Sequence, residues 1–215
     1  MTTNNVPEPV AVLAAQMASF PDPWALCGGW AVDAWLGRES REHGDIDLSV
    51  FVQDQRALYE HLRGWQLLAH DSDWQPGNDN EWWDGRRRLN HPAHIHGRPA
   101  ELSGAMPEDG IATAEDGFSL DIQLDDRQDE DWVLSHDPLL SVPLARCIAE
   151  SAWGLPTVVP EVLLFYKARD LRRRDKLDFL VLLPALSNEQ REWLHDAIAL
   201  IGHPWAGQLS GERLS

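Results

Sequence analysis

Residues 24–51 read WALCGGWAVDAWLGRESREHGDIDLSVF, and this stretch decides the fold. The apolar run Trp24 to Cys27 has the length and composition of a short buried strand, and Gly28-Gly29 makes a tight turn into a helix carrying Ala31, Val32 and Trp35. DIDLSVF then reads as a second, β-branched strand. In it Asp45 and Asp47 flank one apolar residue, Ile46, and side chains at i and i+2 of a strand project from the same face. Two hard oxygen donors held close together suit Mg²⁺, which keeps several waters and completes its shell with substrate phosphates; a second ion could share the pair. Gly28 and Gly29 are the candidate phosphate seat, because backbone without a Cβ can approach a ligand and the first amides of a helix point outward at the positive end of its dipole. Each half alone is a common pattern. Strand, glycine turn, helix and an Asp-x-Asp strand in this order are what metal-dependent nucleotidyl transfer needs.

At 215 residues, with 43% hydrophobic and 25% charged content, the chain suits one compact domain or two small ones. It has no apolar run long enough to span a bilayer, and MTTNNVPEPVAVLAAQMASF has no basic region ahead of its mildly apolar segment, so a cytoplasmic protein is expected. Cys27 and Cys147 sit in apolar contexts without short spacing, which fits reduced core thiols rather than a disulfide or metal pair. The net charge of −17 repels polyanions and argues against a nucleic-acid substrate. The same field would draw in a small cationic one, although acidity kept for solubility alone explains the charge equally well.

Beyond the opening stretch, apolar spacing predicts a helix over 7–19, a helix from Gln55 to Arg63 capped by Asp54, and a strand from Trp65 to Ala69. Residues 70–88 read as a polar loop. Its Trp74, Trp82 and Trp83 either close over a core edge or stack on a sugar ring. Alternation between Leu89 and Leu102 predicts a strand with His94 and His96 on one face, followed by a turn-rich region from Gly104 to Gly117. Two such imidazoles can begin a zinc site, but no third ligand is tied to them in the sequence, and they read as paired surface histidines. In GFSLDIQLDD, Phe118, Leu120, Ile122 and Leu124 share one face and Asp121 and Gln123 the other. Asp125, Asp126, Asp129 and Asp131 form a charge run that reads as a solvated turn. A strand or hairpin is expected over 139–159. Three helices follow: one opened by Pro160 and Glu161, one from Asp175 through Leu183, and one from Asn188 to Leu200 capped by Ser187 or Asn188.

GGWAVDAWLGRESREHGDIDLSVF resembles the opening motif of the aminoglycoside 2''-O-nucleotidyltransferases and the related lincosamide nucleotidyltransferases, within the polymerase-β-like nucleotidyltransferase superfamily. The likeness extends through Trp30, Asp33, Leu36, Gly37, Arg38, Arg41 and His43, and PEVLLFYKARDLRRRDKLDFLVLLPAL, residues 160–186, resembles the helical half of the same family. With a weaker match at FSLDIQL, the resemblance covers most of the chain. It implies an α/β (α+β) fold: a nucleotidyltransferase domain over 1–157 with a mixed sheet and flanking helices, then a small helical domain over 158–215. It also implies a third acid from a later strand, for which Asp121 is the matching position. By chemistry Asp121 is either a general base for an attacking hydroxyl or a further metal ligand, alongside Asp45 and Asp47.

Lys167, Arg169, Arg172, Arg173, Arg174 and Lys176 are six of only 18 basic residues in this acidic chain. A nucleoside triphosphate is the natural partner for such a cluster, and the resemblance assigns that contact to Lys167; intrahelical pairing with Asp170, Asp175 and Asp178 accounts for most of the arginines. The expected activity is Mg²⁺-dependent transfer of a nucleoside monophosphate, AMP from ATP, to a hydroxyl of a small cationic acceptor such as an aminoglycoside. The alternatives are a lincosamide or protein-hydroxyl acceptor, or a catalytically silent nucleotide- or drug-binding protein of the same fold.

Overall fold

The computed structural model describes residues 6–71, 82–102, 119–134, 140–168 and 172–209. The chain begins with helix α1 (Glu8–Met17), strand β1 (Trp24–Leu26), helix α2 (Gly28–Leu36) and strand β2 (Ile46–Phe51). Helix α3 (Gln55–His61) follows, then strands β3 (Trp65–Asp71), β4 (Ala93–Pro99), β5 (Leu120–Gln128), β6 (Asp131–Val133) and β7 (Ser141–Pro143). A one-turn helix α4 (Leu144–Cys147) leads into β8 (Ile148–Glu150) and β9 (Pro156–Val158), and the chain continues through α5 (Pro160–Lys167), α6 (Arg173–Leu182), α7 (Asn188–Leu200) and α8 (Trp205–Leu209).

The main sheet runs in the order β3-β4-β5-β2-β1-β9-β8, with β6 and β7 branching from the far end of β5. It is mixed. β2 pairs parallel to β5 and β1 parallel to β9, while the other pairs are antiparallel. Register follows from alternation: Ile46, Leu48 and Val50 on β2 and Leu120, Ile122 and Leu124 on β5 are buried as facing pairs on one side. A slip of one residue in either strand would turn that strand's apolar row away from its partner's, so burial holds the pairing in place.

The helices begin where local chemistry favours it. Pro160 stands in the first turn of α5, where its missing N–H costs nothing. Ser187 and Gln190 form a reciprocal capping box on α7, a device contributing about 1 kcal/mol. Helix α5 packs on α2, α6 and α7, which brings the C-terminal helices against the glycine-turn helix. Among the described residues no helix is long and apolar enough to cross a membrane.

Three expectations need correction, one short helix was unforeseen, and the alternatives for Trp82 and Trp83 separate. Asp54 forms no side-chain cap on α3, because the preceding residues Val52–Asp54 wind into a 3₁₀ turn that delivers the chain into the helix. The charge run after Leu124 is no solvated turn at its start: β5 continues through Gln128, and Asp125 is buried. Helix α6 starts at Arg173, two residues before its expected start at Asp175, and α8 was not foreseen in so short and polar a segment. Trp83 is a core residue edge-on to Tyr59, its indole N–H donating to the Arg87 carbonyl at 2.9 Å, whereas Trp82 lies 5.4 Å under the Arg98 guanidinium. Trp74, Phe118, the turn region 104–117 and Arg169 lie outside the described residues.

Candidate active site

Asp47 on β2 and Asp121 on β5 are register partners in the parallel pair, so their side chains leave the same face. Asp45, immediately before β2, joins them, and carboxylate oxygens of all three lie within 4.8 Å of one another. Like charges this close oppose the ionisation of Asp47 and Asp121. Burial, with Asp47 and Asp45 beside it, pushes the Asp121 carboxyl up to about 7; burial and then Asp45 also raise Asp47, against the opposing pull of Lys167, the Gly29 amide and Arg174. The Asp121 Oδ1 atom is buried without a hydrogen-bond partner. A buried, unpaired acceptor in an acidic trio is what a divalent cation with oxygen preference would satisfy, so the donor set fits Mg²⁺.

The glycine turn meets this trio directly. Gly28 has φ +64°, and a Cβ there would lie 2.7 Å from the Asp47 Cβ and closer still to its carboxylate. At Gly29 a Cβ would fall 2.6 Å from His43 Nδ1 and also against the Arg41 guanidinium. The Gly29 amide, one of the first in α2, hydrogen-bonds the Asp47 carboxylate. The helix end therefore begins by orienting an acid.

Behind the glycines, one ion-pair network ties the loop after α2 to the C-terminal helices. His43 Nε2 lies 2.7 Å from Asp33 Oδ2, and Ser40 donates to the other oxygen of the same carboxylate. Burial alone would raise Asp33, but these hydrogen bonds hold it below the usual carboxylate range. The Trp30 ring lies against His43 at 4.2 Å, and Arg41 spans from His43 Nδ1, at 3.0 Å, to Asp178 on α6, at 3.4 Å. Lys167 lies on the same Asp178, Nζ to Oδ2 2.7 Å, and 3.4 Å from Asp175 Oδ1, which Arg172 also bonds. The sequence motif residues Asp33, Arg41 and His43 are thus a brace.

Lys167 is buried between two carboxylates, so the pairing weighed for the arginines holds for this lysine as well, while its charge still reaches Asp47. Arg174, on the exposed side of α6, was not singled out for the site, yet its charge also stabilises ionised Asp47. Its spacing from Lys167 gave no signal of this. Deeper on the same face Asp125 is fully enclosed; it accepts from Ser49 and, at 3.5 Å, from Tyr166, and burial pushes it up to about 7 despite these donors.

The two histidines expected on the surface are neither alone nor freely solvated. His70 on β3 pairs across from His94, and ligand nitrogens of His70, His94 and His96 lie within 4.8 Å of one another. Burial pushes His94 and His96 down to about 4 and lowers His70. The missing third ligand was a matter of strand register, which no local spacing reveals.

A mixed sheet with convergent acids on two parallel neighbours and a glycine turn beside them is the arrangement expected from the sequence resemblance. Three solved structures of nucleotidyltransferases share the fold. The lincosamide antibiotic adenylyltransferase LnuA, lincomycin-bound, is 20% identical with a TM-score of 0.52 over 83% of this chain and 97% of its own. The antibiotic-resistance factor ANT(2'')-Ia in solution is 17% identical with a TM-score of 0.56 over 93% of both chains. The same enzyme in complex with adenylyl-2''-tobramycin gives 17% and 0.54 over 90% of this chain and 95% of its own. At the level of sequence, the aminoglycoside-2''-adenylyltransferase family model matches residues 10–97, which include the Gly-Gly and Asp-x-Asp stretch. No curated protein matches by sequence.

Proposed function

We propose that this protein is a nucleotidyltransferase that moves a nucleoside monophosphate, AMP from ATP, to a hydroxyl of a small cationic antibiotic of the aminoglycoside class. The observation that carries the reading is the Asp45, Asp47, Asp121 trio beside Gly28, within a stretch matching the aminoglycoside-2''-adenylyltransferases. Asp45, Asp47 and Asp121 would hold Mg²⁺, which when bound supplies charge neutralisation for the triphosphate and the leaving pyrophosphate.

The chain's own residues do the rest. Gly28 lets the Asp47 carboxylate, and Gly29 the Arg41 and His43 side chains, approach the turn where a Cβ would collide, and the turn itself is the candidate seat for phosphate oxygens. Lys167 and Arg174 place positive charge on the Asp47 side, where a triphosphate would lie. Asp121 is also the carboxylate that could take the acceptor hydroxyl's proton. In this reading 1–157 forms the catalytic unit and 158–215 the helical unit whose brace on Arg41 closes one wall. The net charge of −17 supports a polyamine acceptor over a lincosamide, with its single basic amine, and disfavours nucleic acid.

The test is incubation of the purified protein with Mg²⁺, each nucleoside triphosphate in turn and a panel of aminoglycosides and lincosamides, with products weighed by mass spectrometry. A mass gain of one nucleoside monophosphate on an aminoglycoside, with pyrophosphate released, is expected. Modification of lincosamides alone would overturn the acceptor assignment. Tight nucleotide binding without pyrophosphate would overturn the enzyme.

A further inference from the structure

Two donor sets of different chemistry share one face of the sheet. The oxygen set serves the reaction proposed above; the nitrogen set consists of His70, His94 and His96. Pairing of β3 with β4 puts His70 directly across from His94, and His96 stands two residues along β4, so all three project from the same side. Their rings pack at centroid separations of 4.8, 5.3 and 5.0 Å, with ligand nitrogens within 4.8 Å of one another. We propose that these three imidazoles bind a divalent transition metal of the zinc class, leaving one coordination position open beside Asp121.

Three neutral imidazoles plus an open position form an established zinc donor set, whereas Mg²⁺ requires oxygen; the two clusters would therefore select different ions. All three ligands stand on hydrogen-bonded strands, with β4 locked between β3 and β5, so the site is built on rigid elements. Drawing the nitrogens to bonds of about 2.0–2.1 Å takes about an ångström of contraction, which side-chain rotation supplies. Burial keeps the imidazoles in the unprotonated form that ligates. His96 is the register partner of Asp121, which places a carboxylate next to a ligating histidine, the usual arrangement around protein-bound zinc. Strand order β3-β4-β5-β2 sets the histidines on the side of Asp121 away from Asp47 and the glycine turn. An oxygen or nitrogen of the acceptor could occupy the open position there.

The experiment uses the full chain without a histidine tag. Zn²⁺ is titrated against a chromophoric chelator, and Co²⁺ is substituted to read coordination number by its visible spectrum. One zinc per chain, retained in the Asp45→Asn variant, and the intense bands of four-coordinate cobalt are expected; His94→Gln and His70→Gln should each weaken zinc binding at least tenfold with melting curves preserved. Should a variant fold poorly, imidazole NMR resonances of the unaltered protein decide: three histidines shifting together with one equivalent of Zn²⁺ support the site, and any other pattern overturns it. Loss of zinc in Asp45→Asn with retention in the histidine variants, six-coordinate cobalt, or no zinc held against the chelator overturns it too. None of these readouts requires nucleotidyl transfer, so the two proposals fail separately.

Discussion

Gly28→Ala is the sharpest probe of the candidate site, because the perturbation is one methyl group and its neighbour is a catalytic candidate. The Gly28 φ of +64° costs an alanine about 1–2 kcal/mol, which in a chain of this size lowers Tm by about 2–8 °C. The added Cβ would stand 2.7 Å from the Asp47 Cβ, about 1 Å inside ordinary carbon contact, and closer to the carboxylate. Asp47 must therefore shift by about an ångström, and misplacement of that size at a reacting centre costs on the order of 10²-fold in rate. Pyrophosphate release at saturating ATP should fall by about two orders of magnitude while the protein stays folded well above assay temperature. Gly29→Ala is the companion: its backbone is not strained, but it presses on His43 and Arg41, so it should loosen the brace more than it disturbs Asp47. If Gly28→Ala retains activity within about threefold of the unaltered enzyme, the contact between the glycine turn and the Asp47 acid is irrelevant to turnover and the reasoning fails.

Asp45→Asn or Asp47→Asn should leave the fold intact and reduce AMP transfer below about one percent, measured by product mass, since each removes a cation ligand. In metal-free protein, Asp121 keeps its proton up to about 7 when folded but releases it near 3.8 when unfolded, so its contribution to stability is present below 3.8 and is lost as pH rises through 7. Asp121→Asn should therefore gain Tm relative to the unaltered chain at pH 8, with the gap closing toward pH 4, and Mg²⁺ should abolish the gap; taking the difference cancels His94 and His96, which run the other way. Asp178→Ala strips Arg41 and Lys167 of a shared buried carboxylate and should destabilise by about 3–5 kcal/mol in denaturant melts, whereas Asp45→Asn should not. Alkylation of Cys27 at pH 8 should be slow in the native state, because burial and then Asp47, Asp125 and Asp121 hold its thiol well above the usual range.

The parts of the molecule governed by local periodicity could be read directly. The alternation of DIDLSVF and of LDIQL carried both central strands, whereas their side-by-side pairing, which puts Asp47 and Asp121 on one face, was available only through the family resemblance. What lay beyond reach depended on pairing between distant segments. His70 joins His94 only because β3 runs antiparallel to β4 with a particular offset, and nothing around His70 marks that offset. Lys167 was assigned to a triphosphate through the family resemblance, as one of a cluster of basic residues in an acidic chain, yet α6 brings Asp175 and Asp178 onto it first. Asp125 looked solvated among its acidic neighbours, but the strand carries it under Tyr166 and Ser49.

The two acid-bearing strands β2 and β5 pair directly with each other, and the segment threaded between Phe51 and Leu120 returns to them only along the outer edge of β5, through β4. The connections that join its strands can therefore change in length or composition while the acid trio stays put. A scaffold organised in this way can vary what it recognises without rebuilding the cluster at its centre.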